Sequence, residues 1–196
     1  SRGLGDVYKR QDKEGRVLNL DEIKLLPKTK PNNPNKIEWL VRDKTAKRFS
    51  KYLQKNQPSS LLEIGCGNGW FSNYCSKSVN TVVGIDVNQV ELDQAKQAFP
   101  DLDFFYWDIF TAPPFENKFD LIVLNAVIQY FPDFEKLKTR LIELLNPNGE
   151  IHIVDSPFYS ETEIPKAQKR TQDYYFKMGV PEMSNFYFHH NKAVLT

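Results

Sequence analysis

The chain has 196 residues, 26 Lys and Arg against 25 Asp and Glu, a formal net charge of +1 and 40% apolar residues. That is enough for one domain with a sizeable core, and the near-neutral balance of scattered charges argues against a nucleic-acid-binding domain, which carries a basic stripe. No run approaches the ~18 apolar residues of a membrane span, so a cytoplasmic protein is expected. Cys66 and Cys75 have no further Cys to complete a zinc set, and both read as reduced structural thiols.

In chain order, residues 1–11 lack an initiator Met, and Asp6-Val7-Tyr8-Lys9-Arg10-Gln11 looks like translated library adapter, so this stretch is read as a non-native tail. Residues 12–34 form an N-terminal extension and a Pro/Asn-rich linker, whose Lys28 and Lys30, with Lys36, are explained by solvation. From Asn35 to Lys55, apolar Ile37, Leu40, Val41, Phe49, Tyr52 and Leu53 recur at helical spacing and predict an amphipathic helix that covers a sheet.

The densest signal follows. Leu61-Leu62-Glu63-Ile64-Gly65-Cys66-Gly67-Asn68-Gly69 describes a strand, a tight turn and a helix start, in which glycines let the backbone take positive φ and approach a ligand. A dinucleotide fingerprint would need its third glycine at position 70, which holds Trp70, so nicotinamide and flavin readings lose ground. Thr81 to Asp86 predicts a second parallel strand with a carboxylate at its tip, about 20 residues past the glycines, placed to accept ribose hydroxyls. Asn88 and Glu91 form a capping pattern for a helix that starts at Gln89 and stops at Pro100.

Leu102 to Asp108 predicts a third strand ending in an acid, and Phe119 to Ala126 a fourth, apolar enough to be covered on both faces. Leu144-Leu145-Asn146-Pro147-Asn148-Gly149 predicts a turn into a fifth strand running to Asp155, with Asn148 tolerating left-handed φ. Asn125, Gln129 and Tyr130 follow the fourth strand, at the carboxyl edge where open α/β sheets bind ligands. From Ser156 to His190 come Phe158, Tyr159, Tyr174, Tyr175, Phe176, Phe186, Tyr187 and Phe188, an enrichment over the 13% aromatic content of the chain. An apolar or aromatic-lined pocket is the reading of this segment as a whole.

Glu63-x-Gly65-x-Gly67-x-Gly69, the acidic strand tips at Asp86 and Asp108 and the "LLxPxG" turn at 144–149 resemble the class I S-adenosylmethionine-dependent methyltransferases, most closely the group that includes ubiquinone and menaquinone biosynthesis enzymes. The resemblance covers about residues 59 to 155, the cofactor half. It implies an α/β fold of Rossmann-like type with a doubly wound, mostly parallel sheet, and a methyltransferase domain over residues 35–196 with a substrate lid at 156–190. It also implies a further helix and two strands beyond residue 196, so the chain is expected to be truncated at its C-terminus, leaving Ile151 to Val154 as an open edge.

The same resemblance implies S-adenosylmethionine as cofactor. Its methionine end would lie by Glu63, Gly65, Cys66, Gly67 and Gly69, its ribose by Asp86 with Val87, its adenine by Asp108 with Ile109, and the site would be closed by Asn125. Trp39 and Arg42 of the upstream helix would supply a lid and a partner for its carboxylate, a task suited to a planar guanidinium.

Methyl transfer to a small-molecule acceptor is the implied reaction. The alternatives are a catalytically silent S-adenosylmethionine-binding module, a methyltransferase acting on protein or RNA, and a nucleotide-sugar or nicotinamide enzyme. No catalytic residue is assigned; Gln129, Tyr130, His189 and His190 are candidates, His152 reads as structural, and Asn125-Ala126-Val127-Ile128 lacks the motif of nucleobase amino-group methylation. No carboxylate-histidine cluster points to a metal, with magnesium-dependent O-methylation left open. The acceptor, the atom methylated and the oligomeric state are not legible.

Overall fold

The computed structural model describes residues 18–195; the reading of residues 1–11 as a non-native tail lies outside them. Five strands, β1 (Ser60–Ile64), β2 (Thr81–Asp86), β3 (Asp103–Tyr106), β4 (Phe119–Asn125) and β5 (Leu145–Val154), form one sheet in the order β3-β2-β1-β4-β5. Every pairing is parallel. Strand order therefore reverses beside β1, the place where open α/β sheets bind ligands beyond their carboxyl ends.

Alternation along the strands splits the core into two layers. Leu61, Val82, Leu121 and Val123 point to one face, with Ala46, Phe49, Leu53, Phe71 and Leu92 of the helices that cover it. Leu62, Val83, Ile122 and Leu124 point to the other, packed by Leu137 and Leu141. The first face is covered by α2 (Lys36–Asn56), α3 (Trp70–Cys75) and α4 (Gln89–Ala98), and the second by α5 (Phe134–Glu143). Near-continuous apolar strands are the sequence trace of this double coverage.

The extension ahead of α2 contains α1 (Leu20–Leu25), capped by Asn19, which accepts from Glu22 N–H while the Glu22 carboxylate accepts from Asn19 N–H. Ile23 of this helix is fully buried. The N-x-x-E spacing that located α4 was present here too, ahead of a shorter apolar pattern.

The predicted face of α2 is only half right. Phe49 and Leu53 are buried and Tyr52 packs partly on the core, but Ile37, Leu40 and Val41 are 81%, 54% and 54% exposed, and Trp39 and Ala46 take the inward positions at this end. Trp39 meets Trp70 edge-on with ring centroids 5.3 Å apart, and Trp70 continues through Phe71 to Phe49. Aromatic bulk at Trp39 draws that stripe inward and rotates the aliphatic residues beside it to the surface.

Other predictions are met closely. Asn88 caps α4 by accepting from Glu91 N–H, and Asn148 sits at φ 66 in the irregular first part of β5, where the register with β4 shifts. His152 lies outside the cleft described below, with Nε2 2.9 Å from Glu150 Oε2 and its ring 4.5 Å from that of Tyr52. Among the described residues, no helix is long and apolar enough to cross a membrane.

Gly69 is structural as much as functional. Its φ is +76, and a Cβ there would stand 2.6 Å from Phe104 Cζ and 3.0 Å from Ala95 Cβ. Gly69→Ala combines overpacking, about 1–3 kcal/mol, with a left-handed backbone that costs about 1–2 kcal/mol for an L-residue. A clear fall in the denaturation midpoint is expected in urea unfolding, whereas an unchanged midpoint would show that Phe104 yields freely.

Candidate functional site

A cleft of about 970 Å³ opens along the carboxyl edge of the sheet. Its floor is the glycine turn, with Gly65, Gly67 and Gly69 at φ 69, 53 and 76. The turn folds back on β2, since Gly65 and Cys66 N–H both donate to Ile85 O at 2.8 and 3.0 Å. A Cβ on Gly67 would find only the Glu91 carboxyl at 3.6 Å, so the backbone there stands open to a ligand, whereas a Cβ on Gly65 would strike Val127 at 2.4 Å.

Asp86 organises this turn. Its Oδ2 accepts Gly67 N–H and its Oδ1 accepts Asn88 N–H, each at 2.8 Å. Burial pushes its carboxyl above the usual range, opposed by those backbone bonds. Val87 N–H is a third backbone donor to the carboxylate, which keeps lone-pair capacity for a hydroxyl donor.

Glu63 lies at the base of the cleft, 2% exposed, and accepts from the Ser72 hydroxyl. Burial lifts its carboxyl to about 8, the neighbouring Asp86 adds to the rise, and Ser72 and Arg42 oppose it. The protonated form of Glu63 is therefore favoured at neutral pH.

Of the residues expected to hold the cofactor, Arg42, Glu63, Gly65, Cys66, Gly67, Asp86, Val87, Asp108, Ile109 and Asn125 all line the cleft. Gly69 does not, and serves the helix–sheet contact already described. Arg42 is held by Glu38, with Nε and Nη2 2.9 and 2.8 Å from Oε1, and lies 5.3 Å from the Trp39 ring. Burial, with Glu63 second, pushes the Cys66 thiol well above its ordinary value, which removes it as a nucleophile.

The four catalytic candidates separate. Gln129 and Tyr130 line the cleft, whereas His189 and His190 do not. His189 Nε2 is 2.9 Å from Thr171 Oγ1, and burial and then Arg170 hold its ring below the ordinary range. His190 is buried with Nε2 3.0 Å from Ile128 O, which fixes that nitrogen as a donor. Both histidines fasten the segment after α6 (Ile164–Lys177), and Phe188 N–H to Gln129 O at 2.7 Å ties the same segment to the turn after β4.

Tyr159, then Arg170, Thr171, Tyr174 and Tyr175 of α6, and Tyr187 beyond it line one side of the cleft. Tyr175 packs with Val180 and Met183 in a small core of its own. Phe176 and Phe186, expected in the pocket, are 74% and 51% exposed and take no part in it, nor do Phe158 and Phe188. Helical periodicity explains the split, because consecutive residues 174–176 cannot share one face.

Sequence reasoning missed Trp107 and Asp155, which both line the cleft. Buried atoms without a partner among the described residues are Trp107 Nε1, Asn125 Oδ1, Gln129 Oε1 and Asp155 Oδ2, all on cleft-lining residues. For Asp155 a signal was legible: it follows the tip of β5 directly, a carboxylate at the same edge as Asp86 at the end of β2. Ala126 and Asp155 also share left-handed φ values of 54 and 50 at adjacent strand tips, a strain that non-glycine residues carry mainly at functional sites.

The cleft's features fit an adenosine-bearing sulfonium: hydroxyl acceptors on Asp86, a polar edge at Asp108, an acid at Glu63 and a close-approach turn at Gly67. Comparison with known proteins agrees. Two curated relatives are a malonyl-[acyl-carrier protein] O-methyltransferase of Halalkalibacterium halodurans, 32% identical over 103 residues, 48% of this chain and 38% of the relative, and a trans-aconitate 2-methyltransferase of Variovorax paradoxus, 33% identical over 99 residues, 50% and 38% of the two. The matched stretches thus span less than half of those relatives' own length. The fold matches the crystal structure of the YcgJ protein from Bacillus subtilis with a TM-score of 0.63 at 17% identity, over 78% of this chain and 64% of that one. The family model described as a methyltransferase domain matches residues 37–189, most of the chain including the glycine turn, Asp86, Asp108 and α6, so the chain belongs to the class I S-adenosylmethionine-dependent methyltransferase family.

Proposed function

We propose that the chain binds S-adenosylmethionine over the tips of β1, β2 and β3 and transfers its methyl group to a small molecule held beneath the α6 lid. The observation that carries this reading is the convergence of the Gly65 to Gly69 turn, Asp86, Asp108 and Glu63 on one cleft whose remaining walls carry unpartnered polar atoms. The cosubstrate supplies a methyl on a sulfonium with a neutral thioether as leaving group. What the chain supplies is alignment and exclusion of water, which can lower such a barrier by about 7–11 kcal/mol.

Each residue has a task in that alignment. Asp86 accepts the ribose hydroxyls while holding the turn, Asp108 faces the adenine edge, and Glu63 with Arg42 brackets the zwitterionic methionine end. Asn125 and Gln129, at and after the tip of β4, line the same cleft. The relatives named above are described as methylating malonyl-[acyl-carrier protein] and trans-aconitate, and identity over half of this chain does not carry those acceptors across.

Calorimetry with adenosylhomocysteine and methyl transfer from labelled S-adenosylmethionine test the reading together, and absence of adenosylhomocysteine binding would overturn it. Tyr174, half-exposed on the cleft wall, separates the two halves. Tyr174→Ala is expected to slow turnover roughly tenfold, the order of one lost aromatic contact, while adenosylhomocysteine affinity stays within about twofold. Phe176→Ala should change neither.

A further inference from the structure

The cosubstrate fills one half of the cleft. Sheet order sets this, because the glycine turn, Asp86 and Asp108 sit on β1, β2 and β3, while β4 and β5 continue beyond them toward the lid. Gln129 and Asp155, which follow β4 and β5, line the same cleft together with Tyr174 and Tyr175 of α6.

Asp155 is built to present one oxygen. Thr45 Oγ1 of α2 donates to Asp155 Oδ1 at 2.6 Å, which orients the carboxylate, and Oδ2 is left buried without a partner. Gln129 repeats the pattern: its Nε2 donates to Ala126 O at 2.6 Å and its Oε1 is buried and unpartnered. Leaving these two buried oxygens without a donor is costly. Neither cost returns stability to the fold. Both are explained by a ligand group that donates hydrogen bonds.

This excludes one chemistry and selects another. A carboxylate acceptor would set like charges against Asp155 and leave Gln129 Oε1 unsatisfied. Arg170 also lines the cleft, but it is exposed on the lid and does not partner Oδ2.

Resting on the methyl-transfer reading, we infer that Asp155 is the acceptor-binding carboxylate and that the acceptor is an amine or a hydroxyl, not a carboxylic acid. The acceptor's N–H or O–H donates to Oδ2. As its lone pair forms the new bond to the methyl carbon, the carbon–sulfur bond breaks toward the neutral thioether, and the acceptor's proton passes to the Asp155 carboxylate. Sulfonium and carboxylate charges are both cancelled. Gln129 Oε1 takes a second donor of the acceptor and Thr45 positions the carboxylate.

The test uses methyl-labelled S-adenosylmethionine and a deproteinised small-metabolite extract, with products sorted by alkali: methyl esters release methanol, while methylated amines and ethers are stable. Wild type is expected to yield base-stable label. Asp155→Asn, which keeps an oxygen for Thr45 and tolerates left-handed φ, should lose at least about 100-fold in rate, the scale of a lost proton acceptor. Its adenosylhomocysteine affinity should stay within about twofold and its melting temperature should not fall.

Base-labile label, retained activity in Asp155→Asn, a tenfold loss of cosubstrate affinity or a lowered melting temperature would each overturn the assignment, the last two by making Asp155 a cosubstrate ligand or a structural post. Failure of the underlying reading looks different. Wild type would then bind no adenosylhomocysteine, or bind it and label nothing in the extract, and the assignment would fall with it.

Discussion

Asp86→Ala is expected to weaken adenosylhomocysteine binding by about 100-fold, with the protein still folded. Hydrogen bonds to a charged group are worth about 1.5–3 kcal/mol, which corresponds to about 10- to 100-fold in affinity. The upper end applies because the side chain does two things at once. It offers oxygens to the ribose, and it holds Gly67 N–H and Asn88 N–H at 2.8 Å, so its removal also loosens the turn that must lie against the ligand. Calorimetry on the variant, with circular dichroism to verify the fold, checks this. Unchanged affinity would remove Asp86 from the site and leave it as a turn residue.

Cosubstrate affinity is expected to tighten with pH, by up to about tenfold per unit between about pH 6 and 8, and to level off above that. The cause is Glu63, whose carboxyl burial lifts to about 8. Below that pH the methionine ammonium must displace a proton to gain its anionic partner, and above it the partner is already ionised. Stability of the ligand-free protein runs the opposite way. The unfolded chain releases this proton near the ordinary carboxylate value while the folded chain keeps it, so the unfolding free energy falls as pH rises from about 4.5 to 8 and is flat beyond.

Glu63→Gln should abolish the trend in binding and remove this component of the trend in stability, with weaker binding at pH 8.5 than wild type. Wild-type affinity that is flat from pH 6 to 8 would show that Glu63 does not meet the ammonium. Because Arg42 opposes the rise in Glu63, Arg42→Leu should push the transition in binding to still higher pH.

The fold was legible in the sequence because its cues are local. Apolar runs bounded by turn residues placed all five strands, and Asn88 with Glu91 placed α4, since capping and alternation are decided within a few residues. The lining of the cleft was legible for the same reason: glycines at 65 and 67 and acids at 63, 86 and 108 lie at or near strand tips, and parallel strands bring their tips to one edge whatever the rest of the chain does.

What the chain order could not decide was which neighbours meet across the cleft. The inward stripe of α2 depended on Trp39 finding Trp70, a contact across elements that turned Ile37, Leu40 and Val41 outward. His189 and His190 were spent on Thr171 and Ile128 O as fasteners of the lid, a choice made by packing and not by residue type. Asp155 acquired its role only when Thr45, 110 positions away, took one of its oxygens and left the other buried and unpaired. Sequence determines strand tips and turns because backbone sterics are short-ranged; the partners of a side chain, and the oxygens left without one, are set by surfaces that meet only after folding.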